Sequence, residues 1–147
     1  MKFSFLQENL SKGLQTIMHA VPTKSSLPIL SNVLIETEKG RIKLSATNLE
    51  TAITTYVGAS VEENGSITVP AKLLKDFISN LSPGTLEAQT KDEILIISSK
   101  TTKSRFNGNS SKDFPNLPTF PKDAKGLSID PATLNEVINI VAFASGV

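Results

Sequence analysis

The chain has no cysteine, no tryptophan, one tyrosine and one histidine among its 147 residues. Without thiols, neither a disulfide-stapled scaffold nor a thiolate zinc site is available. The single histidine, His19, falls on the polar side of a helical segment with no cysteine or carboxylate near it in sequence, and reads as a surface residue. Also missing are a glycine-rich phosphate loop, metal-ligand spacing and a nucleophile elbow. The carboxylate pairs Glu62-Glu63 and Asp92-Glu93 are sequence neighbours beside turns. Neighbours on a strand point to opposite faces, so neither pair forms a catalytic dyad. The chain therefore reads as non-enzymatic, with no cofactor.

Long apolar runs are absent as well. The opening "MKFSFLQENL" reaches Gln7 and Glu8 after only a few apolar residues, too short for a secretory core, and no later run approaches membrane-spanning length. A cytoplasmic location is expected, which makes the sequons at Asn9, Asn64 and Asn109 incidental. A hydrophobic fraction of 39% and a charged fraction of 20% describe a globular domain. The net charge of +1 names no partner, but its distribution is uneven. Lys12, Lys24, Lys72 and Lys75 fall in or beside two helical segments. Glu36, Glu38, Glu50, Glu62, Glu63, Glu87, Asp92 and Glu93 fall among strands and their turns. The split points to a basic helical face and an acidic sheet face.

Helical periodicity occurs three times. Leu6, Leu10, Leu14, Ile17, Met18 and Val21 form one apolar stripe, and Leu74, Phe77, Ile78 and Leu81 a second. A third opens with Asp130 as N-cap and Pro131 at the first helical position, then runs through Leu134, Val137, Ile138 and Val141. Each stripe follows an apolar strand residue by the same interval: Phe5 before Leu10, Val69 before Leu74, Ile129 before Leu134. Leu10, Leu74 and Leu134 stand 64 and 60 residues apart. A period that long holds a whole supersecondary unit.

Between the stripes the pattern is alternation and turns. "ILSNVLIETEKGRIKLSA" reads as two strands around Glu38-Lys39-Gly40. "TAITTYVGASVEENGSITV" reads as two strands around an Asn64-Gly65 turn. "TLEAQTKDEILIISS" and "TTKSRFN" repeat the scheme after the second helix. The expected fold class is α+β: a duplicated β-α-β-β-β unit with two helices packed on one face of an antiparallel sheet.

The third unit supplies a strand start and a helix before the sequence reaches Val147. Several aliphatic side chains left wet would forgo about 1.5–3 kcal/mol each. Either this helix packs back on the first domain, or it opens a second copy whose remainder lies outside these residues; the second reading is preferred. The prolines of "DFPNLP" (Asp113–Pro118) then stiffen a connector that Phe114 and Leu117 anchor. The expected boundaries are 1–126 for domain one with its connector and 127–147 for the start of domain two.

Several segments resemble the bacterial sliding clamp family, the β subunit of DNA polymerase III. They are "LPILSNVLIE" (Leu27–Glu36), "ATNLETAI" (Ala46–Ile53), "TVPAKLLKDFISNL" (Thr68–Leu81), "SRF" (Ser104–Phe106) and "DFPNLP", in the family's order and near its spacing. The resemblance implies the DNA-clamp fold. It implies a head-to-tail homodimeric ring of three similar domains per subunit, closed around duplex DNA with helices lining the hole. Such proteins do no chemistry; they tether the replicative polymerase as a processivity factor.

The resemblance also implies site residues. Lys24, in "PTKSSLP", matches a basic loop position that touches the DNA backbone, and Lys12, Lys72 and Lys75 would face the lumen. Phe106, with Arg105 beside it, matches the edge strand that meets the partner subunit. The following "NGNSS" is polar and shorter than in better-known members. The family's pocket for polymerase and clamp-loader peptides lies between later domains, so these residues alone are expected neither to close a ring nor to bind such peptides. The alternative reading is a protein–protein interaction module that docks through the helix after Asp130 and does not bind DNA.

Overall fold

The structure, a computed structural model, describes residues 1–118 and 128–145. The chain divides into two compact units, Met1–Leu117 and Pro118–Val147. In the first unit, β1 (Lys2–Leu6) leads into α1 (Gln7–Ile17), followed by β2 (Asn32–Glu38), β3 (Arg41–Thr47) and β4 (Ala52–Glu63). The same succession then recurs as β5 (Ser66–Pro70), α2 (Ala71–Ser79), β6 (Thr85–Lys91), β7 (Ile94–Ser98) and β8 (Lys103–Asn107). The expected β-α-β-β-β duplication is thus the architecture.

All strands form one antiparallel sheet in the order β5-β2-β3-β4-β1-β6-β7-β8. The two copies interlock, because each copy's first strand pairs inside the other: β1 with β6, and β5 with β2. The two ends of this order come back together where Thr68 of β5 and Asn109, just past β8, form an isolated bridge.

Both helices bury their stripes against the inner face of the sheet. Leu14, Ile17, Leu74 and Ile78 are fully buried beside Phe3, Phe5, Leu44, Leu95 and Ile97. Gly13 shows how close α1 lies: a Cβ there would stand 2.7 Å from Val57 Cγ2 and 3.1 Å from Leu44 Cδ1. The helices also hold each other. Buried Gln7 donates through Nε2 at 2.6 Å to the Ile78 carbonyl near the end of α2, which also accepts from the Leu81 amide at 3.3 Å.

Four expectations are corrected. Leu6 is the last residue of β1 and is exposed, not part of the buried stripe. Ile29, Leu30 and Ser31 form a 3-10 turn, Pro28–Ser31, rather than the start of β2. Pro28 occupies the first helical position, where its fixed φ and missing N–H suit a turn, and the Leu30 amide donates to the Leu27 carbonyl at 3.1 Å. Asn64-Gly65 joins strands that do not pair with each other, since β4 pairs with β1 and β3 while β5 pairs with β2. Gly65 is instead required by close approach, because a Cβ there would lie 2.8 Å from Met1 Cβ. The true two-residue hairpins are Lys39-Gly40, with Gly40 at φ 76°, and Asp92-Glu93, at φ 49° and 60°. Lastly, the sheet face is not acidic in effect. Glu36 pairs with Lys43 at 3.0 Å, Glu38 with Arg41 at 2.7 Å, Glu62 with Lys2 at 2.7 Å and Glu63 with the N-terminal ammonium at 3.8 Å. Strand pairing sets these cations beside the carboxylates, which sequence order conceals. The Glu62 carboxylate accordingly raises the Lys2 ammonium above its ordinary value.

The "DFPNLP" segment begins as an anchored passage. Ser110 caps a short 3-10 turn, Ser111–Asp113, and Ser111 Oγ meets Ser66 Oγ at 2.7 Å. Phe114 is buried, outside the main core cluster, and Leu117 is half-buried. The rest of the connector, from residue 119 to 127, lies outside the described residues.

In the second unit, α3 (Pro131–Val141) starts as the sequence pattern requires. Asp130 accepts from the Thr133 amide at 2.9 Å and from its hydroxyl at 3.1 Å, which holds the Asp130 carboxyl below its ordinary value. Leu134, Val137, Ile138 and Val141 are 42–57% exposed, so this stripe remains wet.

Two substitutions test the packing. Gly13→Ala gains about 1 kcal/mol of helix propensity but forces α1 off the sheet. Overpacking costs about 1–3 kcal/mol, so the net result should be a lower denaturation midpoint. Replacing Asp92-Glu93 by Asn-Gly relieves two left-handed residues that carry side chains, and should raise stability by about 1 kcal/mol in urea titration.

Candidate functional site

The duplication places α1 and α2 side by side. The first turn of α1 meets the last turn of α2, where Ser11 Oγ and Ser79 Oγ stand 3.5 Å apart. With both stripes turned into the sheet, the opposite helix faces are solvated. They carry Lys12 on α1 and Lys72 and Lys75 on α2, with Glu8 and Asp76 as the acidic members. Lys24 is exposed in the loop that follows the 3-10 turn Met18–Ala20 at the end of α1. Among the described residues, Lys12, Lys24 and Lys72 make no ion pair, whereas Lys75 Nζ lies 3.2 Å from Asp76 Oδ1. His19 is exposed beside this face. The helical side thus offers unpaired ammonium groups on flexible stems, while much of the sheet's charge is already neutralised. Ammonium groups of this kind attract a polyanion without reading its sequence.

A second feature arises where the duplication is broken. In the first copy, β1 and β4 form a ladder through Lys2↔Glu63, Phe3↔Val61, Ser4↔Ser60 and Phe5↔Ala59. The equivalent pair in the second copy, β5 and β8, is reduced to the bridge Thr68↔Asn109. The outer edge of β8 is therefore left open. Between it and α2 lies an open groove of about 580 Å³, lined by Pro70, Leu73 and Phe77 on one side and by Ser104, Arg105, Phe106 and Asn107 on the other.

Phe106 and Arg105 are adjacent on β8 and face opposite ways. Phe106 points towards the helices, half-buried, with its ring 5.3 Å from that of Phe77 in an edge-to-face contact. Arg105 stands opposite Ile96 on the solvated face of the sheet. Sequence reasoning missed Leu73 and Phe77 as groove residues. Leu73 carried a signal, an apolar side chain on the otherwise polar face between Lys72 and Lys75; it is 62% exposed.

Comparison with known proteins follows the same lines. A family model described as DNA polymerase III beta subunit, N-terminal domain, matches residues 1–118. The beta sliding clamp of Synechocystis sp. is 34% identical over 154 residues, covering 99% of this chain and 39% of the relative. The beta sliding clamp of Escherichia coli K12 is 28% identical over 146 residues, covering 98% and 40%. The crystal structure of the DNA polymerase III subunit beta from Pseudomonas aeruginosa superposes with a TM-score of 0.87 at 29% identity, covering 97% of this chain and 39% of that one. The chain thus spans about two fifths of the length of these relatives. With the duplicated unit, the paired helices and the matched residues in agreement, the chain belongs to the DNA polymerase III beta subunit family, the beta sliding clamps, and residues 1–118 correspond to its N-terminal domain.

Proposed function

We propose that this chain contributes the first domain of a cytoplasmic, non-catalytic ring that encircles duplex DNA and tethers a replicative polymerase. In this reading Lys12, Lys24 and Lys72 touch phosphates from the helical face, and Lys75 joins them at the expense of its pairing with Asp76. The β8 edge and its groove receive a second subunit through Phe106 and Leu73. Residues 127–147 begin a second domain, and contacts with DNA polymerase III and the clamp loader are made by parts beyond it. The observation that carries the reading is the pair of duplicated helices presenting a mainly cationic face, Lys12, Lys72 and Lys75 with Lys24 in the adjoining loop, on the side away from a sheet that carries both signs of charge. Contacts that position on phosphate and leave base edges unread suit a protein that must slide.

The exposed stripe of α3 favours a second reading, an interaction module that docks through that helix and leaves DNA alone. Salt titration separates the two. Weak binding to random-sequence duplex should fall with salt, each phosphate-touching lysine contributing about 0.9 to the logarithmic slope. Lys24→Ala should reduce that slope by about this amount. No binding at low salt would leave the interaction module.

The groove is tested at Leu73, whose exposure makes it dispensable for folding. In a complete family subunit carrying this domain, Leu73→Ser should leave the melting temperature within about 2 °C. Subunit association, followed by analytical ultracentrifugation, should weaken about tenfold.

A further inference from the structure

The reduced β5–β8 pairing raises a physical problem. β8 is laddered to β7 along its length, but towards β5 it is joined only past its end, and its open side forms the rim of a groove whose shape matters for docking. Its far end is gripped by a small polar cluster. Asn32, at the start of β2, is only 7% exposed, and Thr68 is fully buried. Asn32 stands opposite Pro70 in the β2–β5 ladder, and Pro70 has no amide hydrogen to donate. The Asn32 side chain turns its Nδ2 group to two acceptors, Thr68 Oγ1 at 3.3 Å and Asn109 Oδ1 at 3.2 Å. Thr68 Oγ1 donates in turn to the Asn109 carbonyl at 3.2 Å.

Around this cluster the backbone closes reciprocally. The Thr68 amide donates to the Asn109 carbonyl at 3.1 Å, and the Asn109 amide to the Thr68 carbonyl at 2.9 Å. Gly108 makes that approach possible, since a Cβ there would lie 2.5 Å from the Thr68 carbonyl oxygen and 2.8 Å from Ile67 Cδ1. Its amide is held on the other side by the Glu93 carbonyl at 2.8 Å. The segment that immediately follows Phe106 is thus fixed between β5 and the β6–β7 turn.

We propose that Asn32 is a positioning residue that latches the end of β8 onto β5, and that this latch sets the β8 edge in the conformation a second subunit recognises. The inference rests on the docking reading of the groove given above. Its chemistry is that of a buried amide with both hydrogens committed: an apolar side chain of similar size there would break both bonds and leave Thr68 Oγ1 and Asn109 Oδ1 without that donor. Asn32 opens β2, Thr68 lies in the middle of β5 and Asn109 stands two residues past β8; none of the three belongs to the main apolar cluster.

Asn32→Leu, which keeps the approximate volume and cannot donate, is the direct test, with Asn109→Ala at an exposed position as the gentler variant. Amide hydrogen exchange of this chain should speed up about tenfold or more at Thr68, Gly108 and Asn109, with Leu14 in α1 unchanged. In a complete family subunit, association should weaken about tenfold, and less for Asn109→Ala. Uniform acceleration including Leu14, or no change at the seam in either variant, would overturn the latch. A loosened seam with unaltered association would overturn its link to docking, provided Leu73→Ser still weakens association. If Leu73→Ser has no effect either, the docking reading itself falls and takes that link with it.

Discussion

Leu14, Ile17, Leu74 and Ile78 lose all contact with water in the space between two helices and one sheet, and the course of the chain follows from burying them. Each such side chain contributes about 1.5–3 kcal/mol when removed from water. A single β-α-β-β-β copy has too few strands to cover its helix. Two copies solve this by lending each other their first strands, so that β1 sits against β6 and β5 against β2. The pseudo-symmetric exchange makes one continuous sheet and leaves both helices on one side of it. Gly13 and Gln7 refine the arrangement, the one by omitting a side chain where α1 touches the sheet, the other by tying α1 to the end of α2.

The chemistry of the surface is a consequence of that layering. Because both apolar stripes turn inwards, the polar sides of both helices turn outwards together, and their lysines share a face. On the sheet, antiparallel pairing brings Lys43 against Glu36 and Arg41 against Glu38, and Arg41 also lies 4.1 Å over the Tyr56 ring. Exposed ion pairs of this kind add little stability, but they cancel charge locally. The contrast between the two faces is therefore one of sign balance: the sheet carries both signs, with Lys91, Lys103 and Arg105 as well as Glu87, Asp92 and Glu93, whereas cations outnumber acids on the helical side.

Duplicated folds carry function most readily where the copies differ. Here the difference is at the β5–β8 seam. The ladder that joins β1 to β4 has no counterpart there beyond one bridge, and the unpaired edge that results borders an aromatic groove. An open edge is an invitation to another chain. A buried amide, two backbone bonds and a glycine hold its end in place, so that openness need not mean disorder.

The linear pattern by itself determined the helices, the period of the duplication, a turn around Glu38-Lys39-Gly40 and the cap at Asp130, all of which depend on residues close together in sequence. It also grouped the lysines as one charge set, while Phe106 was singled out only through the family resemblance. Tertiary structure decided which strands pair, and so refused the hairpin that Asn64-Gly65 suggests: burying β5 beside β2 outweighs a local turn preference. It decided that Glu36, Glu62 and Glu63 meet cations distant in sequence or across a turn, and that Phe106 packs its ring against Phe77. The groove and the Asn32–Thr68–Asn109 cluster were out of reach for the same reason: the groove joins α2 to β8, the cluster's members lie 36 to 77 residues apart, and both sets become neighbours only when the sheet closes on itself.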